Sequence, residues 1–448
     1  MNDAHGLEIS TDSAPAIAAF NHFSEGFLRY RADLPQRLQA LIQAAPDVAL
    51  AHCIQGYMMM LGYKAALLPV ACAAEARARA LAPHATFRER AHIDALAAWI
   101  DDDLDRAIGH WEAILRRHPH DVLAVRLAHF VNFWLGRPQD MLASIERVVP
   151  HYDATMPGYA TILACRCFAN EECGNYLAAE PDGRRAIEID PGNLWAAHSV
   201  AHVLEMQGRR LEGIQWLNAL APNWEGGNNL QHHLWWHCAL YHLENGDHDT
   251  VLNLYDTRFR NLASPLTIAA PDTYIDVQNA TSMLFRLVRQ GVDVGRRWVE
   301  LADLAETRIG DTQSAFTLPH WMMALSATGR TDAAQRLLDG MRATSNARGT
   351  TASIVASYAL PVSDAVRLHA QGDHNGAVER MLPVLGGMYR MGGSHAQQDV
   401  LEQLFLDAAT RAGRTDAIRL VTERIAARRP IPLARHVGWR DAARHLAA

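Results

Sequence analysis

The sequence predicts an all-α fold, a solenoid of antiparallel helical hairpins strongly curved around an internal groove or cavity. Three observations carry this expectation. Short turns of glycine with polar neighbours recur at Gly136, Gly174, Gly208, Gly246, Gly291, Gly329, Gly372 and Gly413, at intervals of 34 to 45 residues, the spacing at which stacked helix pairs repeat. Alternating runs rich in Val, Ile and Thr, which mark strands, are nearly absent. Helix exits stand at Ala45-Pro46-Asp47, His118-Pro119-His120-Asp121 and Asp190-Pro191-Gly192-Asn193. In the last of these, proline cannot continue one helix and Asn193 can cap the next.

Each glycine turn joins a first helix to a second. The second helix is clearest from Tyr176 to Ile189, where Ala179, Ala186, Ile187 and Ile189 recur at helical spacing. First helices are expected around Trp195 to Glu205, around His232 to His237, from Tyr274-Ile275-Asp276-Val277 onward, and after Gly392-Gly393-Ser394. Pro222 to Asn229, Asn261 to Thr273 and Thr344 to Thr351 read as the longer loops, and residues 1–448 as a single domain.

Composition narrows the function. The 448 residues are 49% hydrophobic and 20% charged, which excludes disordered, collagenous and disulfide-scaffold classes. Acidic residues outnumber basic ones for a net charge of −7, and the basic residues form no dense run, so nucleic acid is not an expected partner. Only Lys64 is a lysine; arginines supply the other cations and are scattered throughout. The segment Met1 to Ser13 carries Asp3, Glu8 and Asp12 and no secretory pattern, and no apolar stretch approaches the length of a membrane span. The six cysteines lack zinc-ribbon spacing, so reduced thiols in a cytoplasmic protein are the expectation.

The histidines carry the chemical signal. There are 23 of them, and His198 with His202, then His233 with His237, form i, i+4 pairs that place two imidazoles on one helix face. His198 lies 10 residues and His202 6 residues before Gly208, His237 lies 9 before Gly246, and His320 lies 9 before Gly329. Like offsets in equivalent helices face one surface of a stacked array. The segment His395, Asp399, Glu402 repeats the spacing of His198, His202 and Glu205, and Asp276 adds a carboxylate early in another first helix. Imidazole and carboxylate are ligands for zinc, iron and manganese. A divalent metal on His202, His233, His237 and His395 is therefore expected, with Glu205, Asp276 and Asp399 as acid, base or orienting carboxylates.

Two other descriptions fit the same residues. The histidines can be packed, hydrogen-bonded core residues, or a metal-free polar pocket acting near neutral pH. No His-Glu-x-x-His motif is present. Trp195, Trp235, Trp236, Trp298 and Trp321 lie near the histidines in sequence, as packing residues or as a surface on which a ligand stacks; Trp236, His198 and His320 are the candidate substrate contacts.

The Gly-Asn-Tyr turn at 174–176 and the Ile-Asp-Pro-Gly-Asn exit at 189–193 follow the tetratricopeptide pattern, and Gly174 to Gly208 matches its 34-residue period. More specifically, Phe27-Leu-Arg-Tyr-Arg, Met156-Pro-Gly-Tyr, Glu171-Glu-Cys-Gly-Asn-Tyr, the segment from His198 to Arg209, Trp235-Trp-His-Cys-Ala-Leu-Tyr-His and Gly392-Gly-Ser-His-Ala-Gln-Gln-Asp span nearly the whole chain. On these segments the chain resembles bacterial members of the tetratricopeptide repeat protein 38 family. The resemblance implies a shared site at His202, Glu205, His233, His237, Asp276, His320 and His395. It also implies a departure at Arg166, where a histidine is expected, and an arginine there would favour an anionic substrate.

The functional expectation is thus a metal-dependent hydrolase-type enzyme acting on a small polar substrate. The alternative is a non-catalytic tetratricopeptide scaffold that binds a peptide or protein partner; the oligomeric state is open.

Overall fold

The computed structural model describes residues 1–447, with side chains through Ala443. Among the described residues there is no β-strand, only isolated bridges at Asn2–Glu8 and Arg31–Gly227. The rest is helix and turn, and consecutive helices pair as antiparallel hairpins.

The eight turn glycines do what the sequence requires of them. Each sits between two helices with positive φ, from 63° at Gly136 to 83° at Gly372, a region that L side chains enter only at a cost. The hairpin Tyr159–Glu172 and Tyr176–Ile189 is representative. The second helix has the predicted bounds, but its buried stripe is Ala179, Gly183, Ala186 and Ile187, while Ile189 is 37% exposed. Asn193 then accepts from the Ala196 amide at 3.0 Å, capping helix Leu194–Met206.

Three further hairpins precede the first glycine turn: Ala14–Leu28 with Leu34–Ala44, Ala49–Met60 with Leu68–Leu81, and Phe87–Ile100 with Leu104–Arg117. Their left-handed turn residues are Tyr30, Tyr63 and Asp102, at φ 53°, 47° and 59°. Among the expected loops, Asn261 to Thr273 contains the short helix Pro265–Ala269, and Thr344 to Thr351 shrinks because Thr331–Ser345 and Thr350–Ile354 run into it from both sides.

Several first helices are buried nearly all round, whereas second helices bury a single stripe. In Tyr159–Glu172 all but two residues are buried; its partner buries four. Polar side chains on first helices are therefore interior groups that need partners.

Backbone packing divides the chain into two units. One comprises Met1–Val200 and Pro222–Leu230, the other Ala201–Ala221 and Gln231–Ala448. In the second unit, helix Tyr274–Arg289 packs both on its sequence neighbours and on His395–Arg411, far along the chain. That packing brings the polar side chains of these two helices together.

Candidate metal centre

Three histidines of the second unit converge. His202 comes from helix Leu194–Met206, and His233 and His237 from helix Leu230–Glu244. All three are at most 2% exposed. The ring centroids of His202 and His237 are 4.4 Å apart and those of His233 and His237 are 4.7 Å apart, both edge-on. Each ring offers one nitrogen within 4.8 Å of the others, close enough for a single ion. His198 precedes His202 by one turn on the same helix and belongs to the first unit, where its ring lies 4.7 Å from Trp195 and 5.3 Å from Phe168.

Polar neighbours orient two of the rings. His237 Nδ1 is 2.8 Å from Glu205 Oε2, and His233 Nδ1 is 2.9 Å from Asn279 Oδ1. An imidazole that donates Nδ1–H to an oxygen presents Nε2 as its lone-pair nitrogen, the arrangement that metal-binding histidines use. Trp236 is fully buried and stacks on His233, with centroids 5.1 Å apart and planes at 12°, so its ring supports an imidazole.

Burial sets the protonation states. It pushes His237 down to about 3. Burial also holds His202 and His233 well below the usual imidazole value, reinforced by their mutual repulsion. The rings are neutral at physiological pH, as ligands must be. Burial pushes the Glu205 carboxyl up to about 7, against the pull of Arg429 and Arg286; its side chain is 14% exposed.

The other expected site residues are placed differently. Asp276 meets His232, the neighbour of His233, at 3.2 Å. Asp399 is an ion-pair hub. It accepts from Arg429 at 3.0 Å, from Arg286 at 3.4 Å and from the Trp439 indole at 2.8 Å, and despite burial the two arginines hold it well below the ordinary carboxylate range. Glu402 accepts from Arg428 through both oxygens at 2.6 Å. His395 opens helix His395–Arg411 outside the three-nitrogen group; burial and nearby Arg428, Arg429 and Arg424 push it down to about 3. His320 is bonded through Nδ1 to Phe316 O at 2.8 Å. In the first unit, Arg166 is engaged by Asp182 through Nε at 2.5 Å and Nη2 at 2.6 Å, so its charge is already matched.

Sequence reasoning missed Asn279, Arg286 and Arg429. The signal for the first two was the polar run Asp276, Gln278, Asn279, Thr281, Ser282, Arg286 inside one helix, every member of which is buried. Arg429 follows the helix Thr415–Arg428 and carries no comparable sign.

Among the described residues no helix is long and apolar enough to cross a membrane, and the six cysteines are free. No family model matches the chain. Among solved structures, the human IFIT1 dimer with m7Gppp-AAAA is similar to it at a TM-score of 0.44 and 12% identity, over 99% of this chain and 97% of that one.

Proposed function

We propose that the second unit holds a divalent metal, zinc, iron or manganese, on His202, His233 and His237, in a hydrolase-type site for a small polar substrate. One observation carries this reading: three buried, neutral imidazoles meet within ligand distance, and two are oriented through Nδ1 by Glu205 and Asn279. A packed core has no need of such an arrangement, while a metal centre requires it. When bound, the metal supplies Lewis acidity toward a polar substrate.

The chain's own groups do the rest. Asn279 and Glu205 fix ring orientation, and Glu205, raised to about 7, can hold or release a proton near neutrality. Arg286 and Arg429, tied to Asp399, lend the surroundings positive character. His395, Asp276 and Asp399 belong outside the ligand set in this reading. Membership of the tetratricopeptide repeat protein 38 family and a cytoplasmic location form part of the same proposal, supported by the shared histidine segments and the free cysteines.

Elemental analysis of protein purified without a histidine tag tests the reading. The expected result is near-stoichiometric zinc, iron or manganese, lost on His237→Ala. Protein that carries no metal and takes none up supports the peptide-binding scaffold instead.

A further inference from the structure

The first unit buries a second polar cluster, one the three-histidine centre does not use. Arg126, on helix Val122–Trp134, is 4% exposed, yet among the described residues no carboxylate pairs with it. Its Nη1 donates to Cys165 Sγ at 3.1 Å and its Nη2 to the Tyr30 hydroxyl. Nε has no hydrogen-bond partner. The guanidinium carbon lies 4.9 Å from the Trp195 ring centroid and 5.4 Å from that of Tyr30.

Two more polar groups beside it are unmatched. Among the described residues, His129, 3% exposed, has no hydrogen-bond partner at either ring nitrogen, and neither has the Trp195 indole Nε1. The His129 and Trp195 rings meet edge-on with centroids 6.0 Å apart. A guanidinium has five N–H donors, and two bonds leave the remainder, Nε–H included, for something else. Buried charges are normally paired. A buried cation without a counter-ion, flanked by an indole N–H and an imidazole that also lack partners, is the complement of an anion.

The geometry points to a binding site for a small oxyanion, the carboxylate or phosphate of a small-molecule ligand, on Arg126, His129 and Trp195 of the first unit. Cys165 and Tyr30 anchor two corners of the guanidinium, and the Trp195 and Tyr30 rings flank it. The site is independent of the metal centre and shares no residue with it. It also relocates the anion-recognising arginine expected at Arg166, whose charge Asp182 already satisfies.

The test uses metal-free full-length protein, titrated with inorganic phosphate and separately with acetate, against sodium chloride of equal ionic strength. Melting temperature and tryptophan fluorescence are followed. At least one oxyanion is expected to bind saturably and raise the melting temperature beyond the chloride control, and Arg126→Met to weaken that binding roughly 10- to 100-fold, the usual worth of a charge-assisted hydrogen bond. Response to phosphate alone identifies a phosphoryl ligand, and response to acetate alone a carboxylate. A parent protein that responds to neither, or an Arg126→Met protein that responds as the parent does, overturns the assignment. Where Arg126→Met does not fold, Trp195→Phe, which keeps a ring and removes the indole N–H, decides: binding weaker by roughly 3- to 10-fold upholds the site, and unchanged binding rejects it.

Discussion

Replacing His237 with alanine removes an imidazole that has no solvent exposure and touches the rings of His202, His233 and Trp236. The lost packing and the cavity cost about 2–4 kcal/mol. Glu205 also loses its partner at 2.8 Å, but because burial already raises that carboxyl to about 7, it takes up a proton and limits the added penalty to about 1 kcal/mol. Metal-free variant and metal-free parent should therefore differ by about 3–5 kcal/mol. Metal adds a separate quantity. At a concentration 100-fold above its dissociation constant it stabilises the parent by about 2.7 kcal/mol, which moves the melting temperature of a unit this size by roughly 5–10 °C. The variant should show no such shift. The assay is thermal melting of both proteins at pH 7.5, with and without zinc, iron(II) or manganese. A parent that no metal shifts, or a variant that metal shifts as far as the parent, refutes the assignment of His237 as a ligand.

Gly174→Ala should cost about 1 kcal/mol in chemical denaturation, because φ is 81° and a Cβ would meet nothing within 4 Å, leaving only the backbone term. Gly213→Ala should cost more, about 1–3 kcal/mol, since its Cβ would lie 2.3 Å from the Tyr241 ring; equal losses for the two would contradict the distinction. Asp407, bonded to His369 and Arg411 and held down to about 2 against an ordinary 3.8, contributes about 2 kcal/mol above pH 4 that disappears as pH falls toward 2. Asp407→Asn should flatten that limb of the acid-denaturation curve. Asp121→Ala should be severe, about 3–5 kcal/mol by urea denaturation, because it strands buried Arg88 at 2.9 Å and removes the cap on Ala124; a loss under 1 kcal/mol would show Arg88 content without its counter-charge.

The contrast between the two sets of turns shows what a sequence can disclose. Eight hairpins announce themselves because glycine is the residue that takes a left-handed turn cheaply. The first three are silent because Tyr30, Tyr63 and Asp102 occupy the same conformation. Tyr63 offsets the strain by packing its ring against Phe130 and Trp134, at 6.5 and 6.1 Å. At the site, the i, i+4 spacing puts His233 with His237 on one helix face, but the like offsets to the turns, shared by His198, His237 and His320, did not single out the trio His202, His233 and His237. Partner choice was beyond such patterns. Asp399 reads as a repeat of the His202 position, yet its role is decided by Arg286, 113 residues earlier in the chain, and by Arg429. Local spacing specifies a direction, and only tertiary packing specifies what waits there.

Asp399 also has a bearing on how the protein is made. Its partners Arg429 and Trp439, together with the Val437 amide that bonds Glu244 at 3.1 Å, lie in the segment that follows the last long helix. Until that segment has left the ribosome, helix His395–Arg411 must bury an acid with one counter-charge where it finally has two. In the second unit, a buried acid thus depends for its second counter-charge on residues made after its own helix.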